Sequence, residues 1–124
     1  MQNEEHRELL KKNKNILCGN AGNPDSKYVE NSELYKFLDL YVKCVHIHNF
    51  PSVPSRHKDI DFVIIRDNLE GEYSGIEHEV YPGVFESLKI ITRQKAMMIA
   101  DYAFEYAYLT GRKKVTCVHK ANIM

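Results

Sequence analysis

The amino-acid sequence predicts an α/β protein in which a mixed sheet is flanked by helices and carries a β-hairpin. A strongly β-prone apolar run covers residues 60–65, and two further strand candidates, 76–80 and 84–91, are joined by a Pro-Gly turn. A long amphipathic helix is predicted to follow Thr92. The 124 residues give room for at most one small domain, so we treat 1–124 as a single domain.

The long helix has the clearest pattern in the chain. Thr92 is a predicted N-cap, and Gly111 is predicted to stop the helix. One apolar stripe runs along it, formed by Ala96, Ile99, Ala100, Ala103, Phe104 and Ala107. The small alanines imply close packing against a sheet, and the β-prone apolar run at 60–65 is typical of a strand that is buried on both faces.

The other elements are predicted from the spacing of apolar residues and from turn-forming residues. They are a helix at Glu4–Lys12, a strand edge at 16–18, a loop at 19–26, a helix at 32–40, a strand at 42–50 and a final strand at 115–118.

Composition excludes several classes of function. Lysine plus arginine equals aspartate plus glutamate at 17 each, so no net charge attracts the chain to nucleic acid or to an anionic membrane. The apolar runs are far shorter than the roughly 20 residues of a transmembrane helix. Three widely spaced cysteines, Cys18, Cys44 and Cys117, form no CxxC pair, which argues against a disulfide framework or a zinc site.

Two sequence motifs are far more specific. Residues 66–75 read Arg-Asp-Asn-Leu-Glu-Gly-Glu-Tyr-Ser-Gly, and residues 119–124 read His-Lys-Ala-Asn-Ile-Met. Both resemble the isocitrate and isopropylmalate dehydrogenase family, whose members carry Arg-Glu-Asn-x-Glu-Gly-Glu-Tyr-Ser-Gly and His-Lys-Ala-Asn-Ile-Met. Residues 86–92 and Leu-Asp-Leu-Tyr at 38–41 are also similar to NAD-dependent isocitrate dehydrogenases, so the resemblance covers more than half of the chain.

The resemblance implies a set of site residues. Oxidation of isocitrate needs a group that takes the hydroxyl proton, and the decarboxylation that follows leaves an enolate that must be protonated. The family uses a lysine and a tyrosine, which match Lys120 and Tyr73. Arg66 matches an arginine that binds a substrate carboxylate, and Asn31 and Asn122 match asparagines of the same pocket.

Departures from the family pattern indicate a regulatory role. Catalytic members carry two more carboxylate-binding arginines, at the positions of Tyr35 and Val45. Each lost charge-assisted contact is worth about 1.5–3 kcal/mol, so we expect weak binding of isocitrate. Val45-His46 and residues 56–61 are similar to gamma-type regulatory subunits, in which the equivalent pocket binds citrate as an activator with a nucleotide nearby.

The resemblance also implies cofactors, a partner and a location. The complete family enzyme uses NAD and Mg²⁺ or Mn²⁺, but its acidic metal ligands lie beyond this stretch, so we expect no metal site here and neither cofactor bound in full. The hairpin at about 76–91 is similar to the family's clasp, which implies pairing with a catalytic isocitrate dehydrogenase subunit in the mitochondrial matrix. The targeting segment of such a protein is not expected within this sequence.

Other interpretations remain open at this point. The chain is also compatible with a truncated catalytic subunit, or with a short paralogue that has only an interaction role. Taken alone, Lys120 reads as an ordinary strand-end lysine and Tyr73 as a hairpin tyrosine, and only their motifs favour site roles. His46 and His48 alternate on one strand face, but no third ligand at suitable spacing supports a metal site.

Overall fold

The computed structural model of the chain describes residues 4–17 and 32–120. It contains three helices and four strands in these ranges: α1 Glu4–Lys12, α2 Ser32–Phe37, β1 Val42–His48, β2 Asp61–Asp67, β3 Gly71–Tyr81, β4 Val84–Ile90 and α3 Arg93–Leu109. Helix α1 has the predicted bounds. The loop predicted at 19–26 and the last residue of the strand edge predicted at 16–18 lie outside the described residues, and residues 16–17 have no strand structure.

Helix α2 ends three residues earlier than predicted. Asp39 has a φ of +51°, in the left-handed region that closes a helix. The backbone N–H of Leu40 then donates to the carbonyl of Tyr35 at 2.8 Å, and this bond satisfies one of the free carbonyls of the last turn. The prediction of a helix as far as residue 40 was therefore wrong, because the apolar spacing continues through a tight turn.

Strands β1 and β2 form an antiparallel pair in which Val45 lies opposite Ile64. The loop between them is organised by Asn49. Its side-chain oxygen accepts from the backbone N–H of Ile60, and its amide nitrogen donates to Ser55 Oγ at 2.8 Å and to the carbonyl of His57 at 2.9 Å. One side chain thus holds both ends of the loop.

Strands β3 and β4 form the predicted hairpin. Tyr81 pairs with Val84, so Pro82 and Gly83 are the two residues of the turn. Gly83 has a φ of +84°, which favours glycine, and its N–H donates to a carboxylate oxygen of Glu79 at 2.8 Å.

Helix α3 begins and ends as the sequence predicts. The side chain of Thr92 accepts a hydrogen bond from the backbone N–H of Lys95 at 3.3 Å, which confirms the N-cap. The helix ends at Leu109, followed by Gly111 with a φ of +68°. The helix packs against β2, and Ala107 is buried.

Burial of residues 60–65 on both faces is not observed. Phe62 and Ile64 each keep 44% of their surface exposed, because β2 has a ladder with β1 on one edge and α3 packed on one face. The final strand predicted at 115–118 is also wrong, since this segment makes no ladder bonds within the described residues. A cavity of about 1050 Å³ is lined by β2 and by this segment.

Every strand pair among residues 4–17 and 32–120 is antiparallel, in two separate two-stranded sheets, so this part of the chain contains no parallel pair of the predicted mixed sheet. Helices and strands together agree with a partial α/β fold. No helix in the described ranges is long and apolar enough to cross a bilayer.

Candidate functional site

The sequence-predicted residues Arg66 and Lys120 line one cavity of about 710 Å³. Its walls come from the end of β2, the turn into β3, the face of α3 that carries Ile99 and Ala103, and the segment 115–120. Strand, helix and the final segment therefore meet at the two residues that the family motifs single out.

The turn between β2 and β3 has a defined shape. Asp67 Oδ1 accepts hydrogen bonds from the backbone N–H groups of Leu69 at 3.0 Å and of Glu70 at 3.1 Å, as in an Asx turn. Glu70 in turn accepts from the backbone N–H and the hydroxyl of Thr92, both at 2.7 Å. The carboxylates of the first motif thus join β2 to the start of α3 and fix this wall of the cavity.

Tyr73 lies in β3 next to the cavity-lining residues Gly71 and Glu72. Its side chain is outside the described atoms. The next residue, Ser74, is buried, and its hydroxyl donates to the carbonyl of Leu88 on β4 at 2.6 Å. The backbone at Tyr73 is therefore held at the edge of the same cavity.

Cations and carboxylates are balanced in the cavity wall. The wall contains three cations, Arg66, Lys89 and Lys120, and three carboxylates, Asp67, Glu70 and Glu72. Asp67 and Glu70 use their oxygens to hold the turn and the helix cap. Three cations in one cavity suit a ligand with several carboxylates.

Sequence reasoning did not single out Lys89. Its only signal is the alternation of β4, which places Ser87 and Lys89 on the same face of the strand. The other predicted positions are distributed differently: Asn31 and Asn122 lie outside the described residues. Tyr35 is on α2, and Val45 is on β1.

A second polar cluster lies apart from this cavity. Arg112 Nη2 is 2.7 Å from Asp61 Oδ1, and His46 Nε2 is 2.8 Å from the same oxygen. Hydrogen bonds from Arg112 and His46 hold the pKa of the Asp61 carboxyl below its ordinary value. This cluster ties β1, β2 and the segment after α3 together.

The described residues do not fit a metal ion or a dinucleotide. Within 4–17 and 32–120, no group of three or more His, Cys, Asp or Glu side chains is placed to hold a metal. His46 and His48 have tilted rings with centroids 5.1 Å apart, and His46 is engaged with Asp61. The cavity wall also has no Gly-rich turn at a helix N-terminus for a pyrophosphate.

Comparisons with known proteins agree with the motifs. The family model described as isocitrate/isopropylmalate dehydrogenase matches residues 2–124. Regulatory subunit 1 of mitochondrial NAD isocitrate dehydrogenase from Arabidopsis thaliana is 55% identical over 119 residues, which cover 94% of this chain and 32% of that protein. The human mitochondrial gamma subunit is 51% identical over 119 residues, covering 93% and 30%.

Two solved structures are also similar to this chain. A protein from Thermus thermophilus superposes with a TM-score of 0.78 at 34% identity, covering 90% of this chain and 23% of the other. Isocitrate dehydrogenase from Methylococcus capsulatus superposes with a TM-score of 0.63 at 30% identity, covering 79% and 29%. The chain spans about a third of the length of the curated relatives it matches. It belongs to the isocitrate/isopropylmalate dehydrogenase family.

Proposed function

We propose that this chain is the carboxylate-binding part of a regulatory subunit of mitochondrial NAD-dependent isocitrate dehydrogenase. The observation that carries the proposal is the shared cavity of Arg66 and Lys120, beside the strand that contains Tyr73, in a chain 55% identical to a regulatory subunit. The proposed ligand is citrate or isocitrate. Arg66 binds one carboxylate through its planar fork of donors, and Lys120 supplies a second positive charge.

The subunit does not turn over isocitrate alone in this proposal. Tyr35 and Val45 stand where catalytic members carry arginines, so two charge-assisted contacts to the tricarboxylate are missing. Binding of the ligand then acts on a catalytic partner. NAD and Mg²⁺ or Mn²⁺ serve the complete enzyme, and their main binding groups lie outside the described residues.

The proposed partner is a catalytic isocitrate dehydrogenase subunit, which pairs with the β3–β4 hairpin. Apolar side chains on this hairpin are exposed: Ile76, Val80, Tyr81, Val84, Phe85 and Leu88. An exposed apolar hairpin of this kind is suited to pairing with another chain.

A citrate titration of the assembled enzyme tests this function. The subunit is co-expressed with its catalytic partner, and NADH production is followed at low isocitrate as citrate is added. Arg66→Gln removes a charge-assisted contact worth about 1.5–3 kcal/mol, so the citrate concentration for half-activation is expected to rise about 10- to 150-fold.

Arg93→Gln is the matched control, because Arg93 is an exposed arginine at the start of α3 and does not line the cavity. It is expected to leave the citrate response unchanged. An equal response of wild type and Arg66→Gln, with both complexes intact by size-exclusion chromatography, contradicts the proposed site.

A further inference from the structure

Strand β3 contains a pronounced bulge at Tyr73. Gly71 pairs with Ile90, and Ile76 pairs with Leu88, so five steps along β3 face two steps along β4. Residues 72–75, with Tyr73 among them, lie opposite the single residue Lys89, so β3 has three extra residues here. A bulge disrupts the ladder locally and re-aims the side chains it carries, so its conformation sets the direction of the chain at Tyr73.

Two hydrogen bonds outside the ladder hold this bulge. Ser74 Oγ donates to the carbonyl of Leu88 at 2.6 Å, which ties the bulge to β4. Lys36 Nζ on α2 donates to the carbonyl of Ser74 at 2.8 Å, which ties it to a distant part of the chain. Ser74 is 8% exposed, so a carbonyl here that lost its donor would have little access to water.

The backbone at Gly75 fits the same arrangement. Gly75 has a φ of +62°, and a Cβ at this position would lie 3.2 Å from Lys36 Nζ. The ammonium group thus approaches the bulge closely on the side where glycine has no side chain. An ammonium donor also makes a stronger hydrogen bond to a carbonyl than a neutral donor does.

We propose that Lys36 is a positioning residue for Tyr73: its ammonium group fixes the bulge in the backbone that carries this tyrosine. The functional importance of Tyr73 rests on the function proposed above, whereas the anchoring of the bulge stands on the two hydrogen bonds. Without the Lys36 donor, the carbonyl of Ser74 loses its partner, and the extra residues of β3 become free to shift along β4.

The test uses the subunit assembled with its catalytic partner and labelled with 3-fluorotyrosine. The fluorine resonance of residue 73 is assigned by its loss in Tyr73→Phe. Lys36→Met removes the ammonium donor but keeps an apolar side chain of similar length. It is expected to shift or broaden this resonance and to speed hydrogen exchange of the amides at 73–76 about tenfold. The citrate concentration for half-activation is expected to rise about tenfold, with maximal activation unchanged.

Two matched variants separate positioning from a general loss of structure. Lys36→Arg keeps a charged donor and is expected to restore the resonance and the citrate response. Lys43→Met makes the same change at an exposed lysine on β1 and is expected to alter neither. If Lys36→Met does not assemble, Lys36→Leu decides in the same way, because it also has no donor: a shifted resonance supports the proposal and an unchanged one overturns it.

An unchanged residue-73 resonance and unchanged exchange in folded Lys36→Met overturn the positioning role. Failure of the proposed function has a different signature. If Tyr73→Phe leaves the citrate response unchanged while Lys36→Met still moves the resonance, then Tyr73 has no part in ligand binding and the anchoring by Lys36 is supported.

Discussion

The two antiparallel sheets of this chain are anchored in opposite ways. The β1–β2 sheet is braced from outside, because α3 packs against β2 and Arg112 binds Asp61 at the start of that strand. In the described part of the chain, the β3–β4 hairpin is tied to other elements near its base, through Lys36 and Glu70. Its far end carries Tyr81 and Phe85, each 71% exposed.

Because of this difference, we expect the two ends of the hairpin to have separate roles. The base contributes residues of the cavity that contains Arg66 and Lys120, where hydrogen bonds hold the backbone in place. The far end has few internal constraints and much exposed apolar surface, which is suited to a contact with another chain. If the comparison is correct, changes at the far end affect assembly, and changes at the base affect the site.

The largest expected effect is at the far end of the hairpin. Phe85→Asp places a charge on the surface proposed to contact the catalytic partner. Loss of an aromatic side chain that becomes buried in such a complex costs about 2 kcal/mol or more of binding free energy. We expect the Kd for the partner to rise by about 30-fold or more, measured by biolayer interferometry. Val53→Asp adds the same charge at an exposed apolar residue of the β1–β2 loop and should leave the Kd unchanged. Equal Kd values for both variants would show that the partner binds at another surface.

A smaller effect is expected at the hairpin base. Glu70→Ala removes the acceptor for the backbone N–H and hydroxyl of Thr92, so the first turn of α3 is expected to lose about 1–2 kcal/mol of local stability. Hydrogen exchange of the amides at 92–95 measures this loss. In Thr92→Ala the same Glu70 change should cost less, because the two side chains share one contact. Fully additive costs would show that the contact does not stabilise the corner.

The connections of the two sheets differ in the residue type that takes a positive φ: glycine in the hairpin and serine in the β1–β2 loop. Gly83→Ala puts a side chain at a φ of +84° in open space, so the cost is backbone strain of about 1 kcal/mol. The opposite substitution is Ser52→Gly in the β1–β2 loop, where the native serine has a φ of +72°. We expect faster exchange of hairpin amides in Gly83→Ala and no destabilisation in Ser52→Gly. Faster exchange in both would refute the distinction.

The smallest expected effect is the pH dependence of the brace on β2. Arg112 and His46 hold the pKa of Asp61 below its ordinary value, so the folded state binds this proton less readily than the unfolded chain does. The stabilisation is present above the ordinary carboxyl pKa of about 4 and is lost as pH falls through the lowered value. Asp61→Asn should therefore reduce the fall in melting temperature over this acid range.

Asp101→Asn is the control for this pH series, since Asp101 is an exposed carboxylate on α3 outside the Asp61 cluster. It should keep the wild-type acid dependence. Identical pH profiles for Asp61→Asn and wild type would show that the ion pair adds nothing measurable at an exposed site.

Local signals predicted most of the elements. The cap at Thr92 and the Pro-Gly turn each depend on neighbouring residues, and both predictions are confirmed. The apolar stripe predicted for α3 is buried only at Ala107, and Phe104 keeps 64% of its surface exposed. Two of the failures, at residues 60–65 and 115–118, depend on partners distant in sequence. Residues 115–118 have a strand-like pattern, but a strand requires a ladder partner, and none is present in the described part of the chain.

The candidate site was predicted through motifs rather than through physical patterns. Arg66 and Lys120 are 54 positions apart, so spacing alone does not bring them together, and the shared cavity depends on the fold. Lys36 had no signal in the sequence, and Lys89 had only the alternation of β4. The contact of Lys36 with Ser74 crosses 38 positions, and only the folded chain reveals it.

Isocitrate turnover with and without a catalytic partner tests the central claim most directly. The subunit is purified alone, the partner is purified alone, and NADH production is measured for each and for their mixture over a range of citrate concentrations. The regulatory account predicts no turnover by the subunit alone and a citrate-dependent rise only in the mixture. NADH production by the subunit alone would contradict it and would identify a catalytic subunit instead.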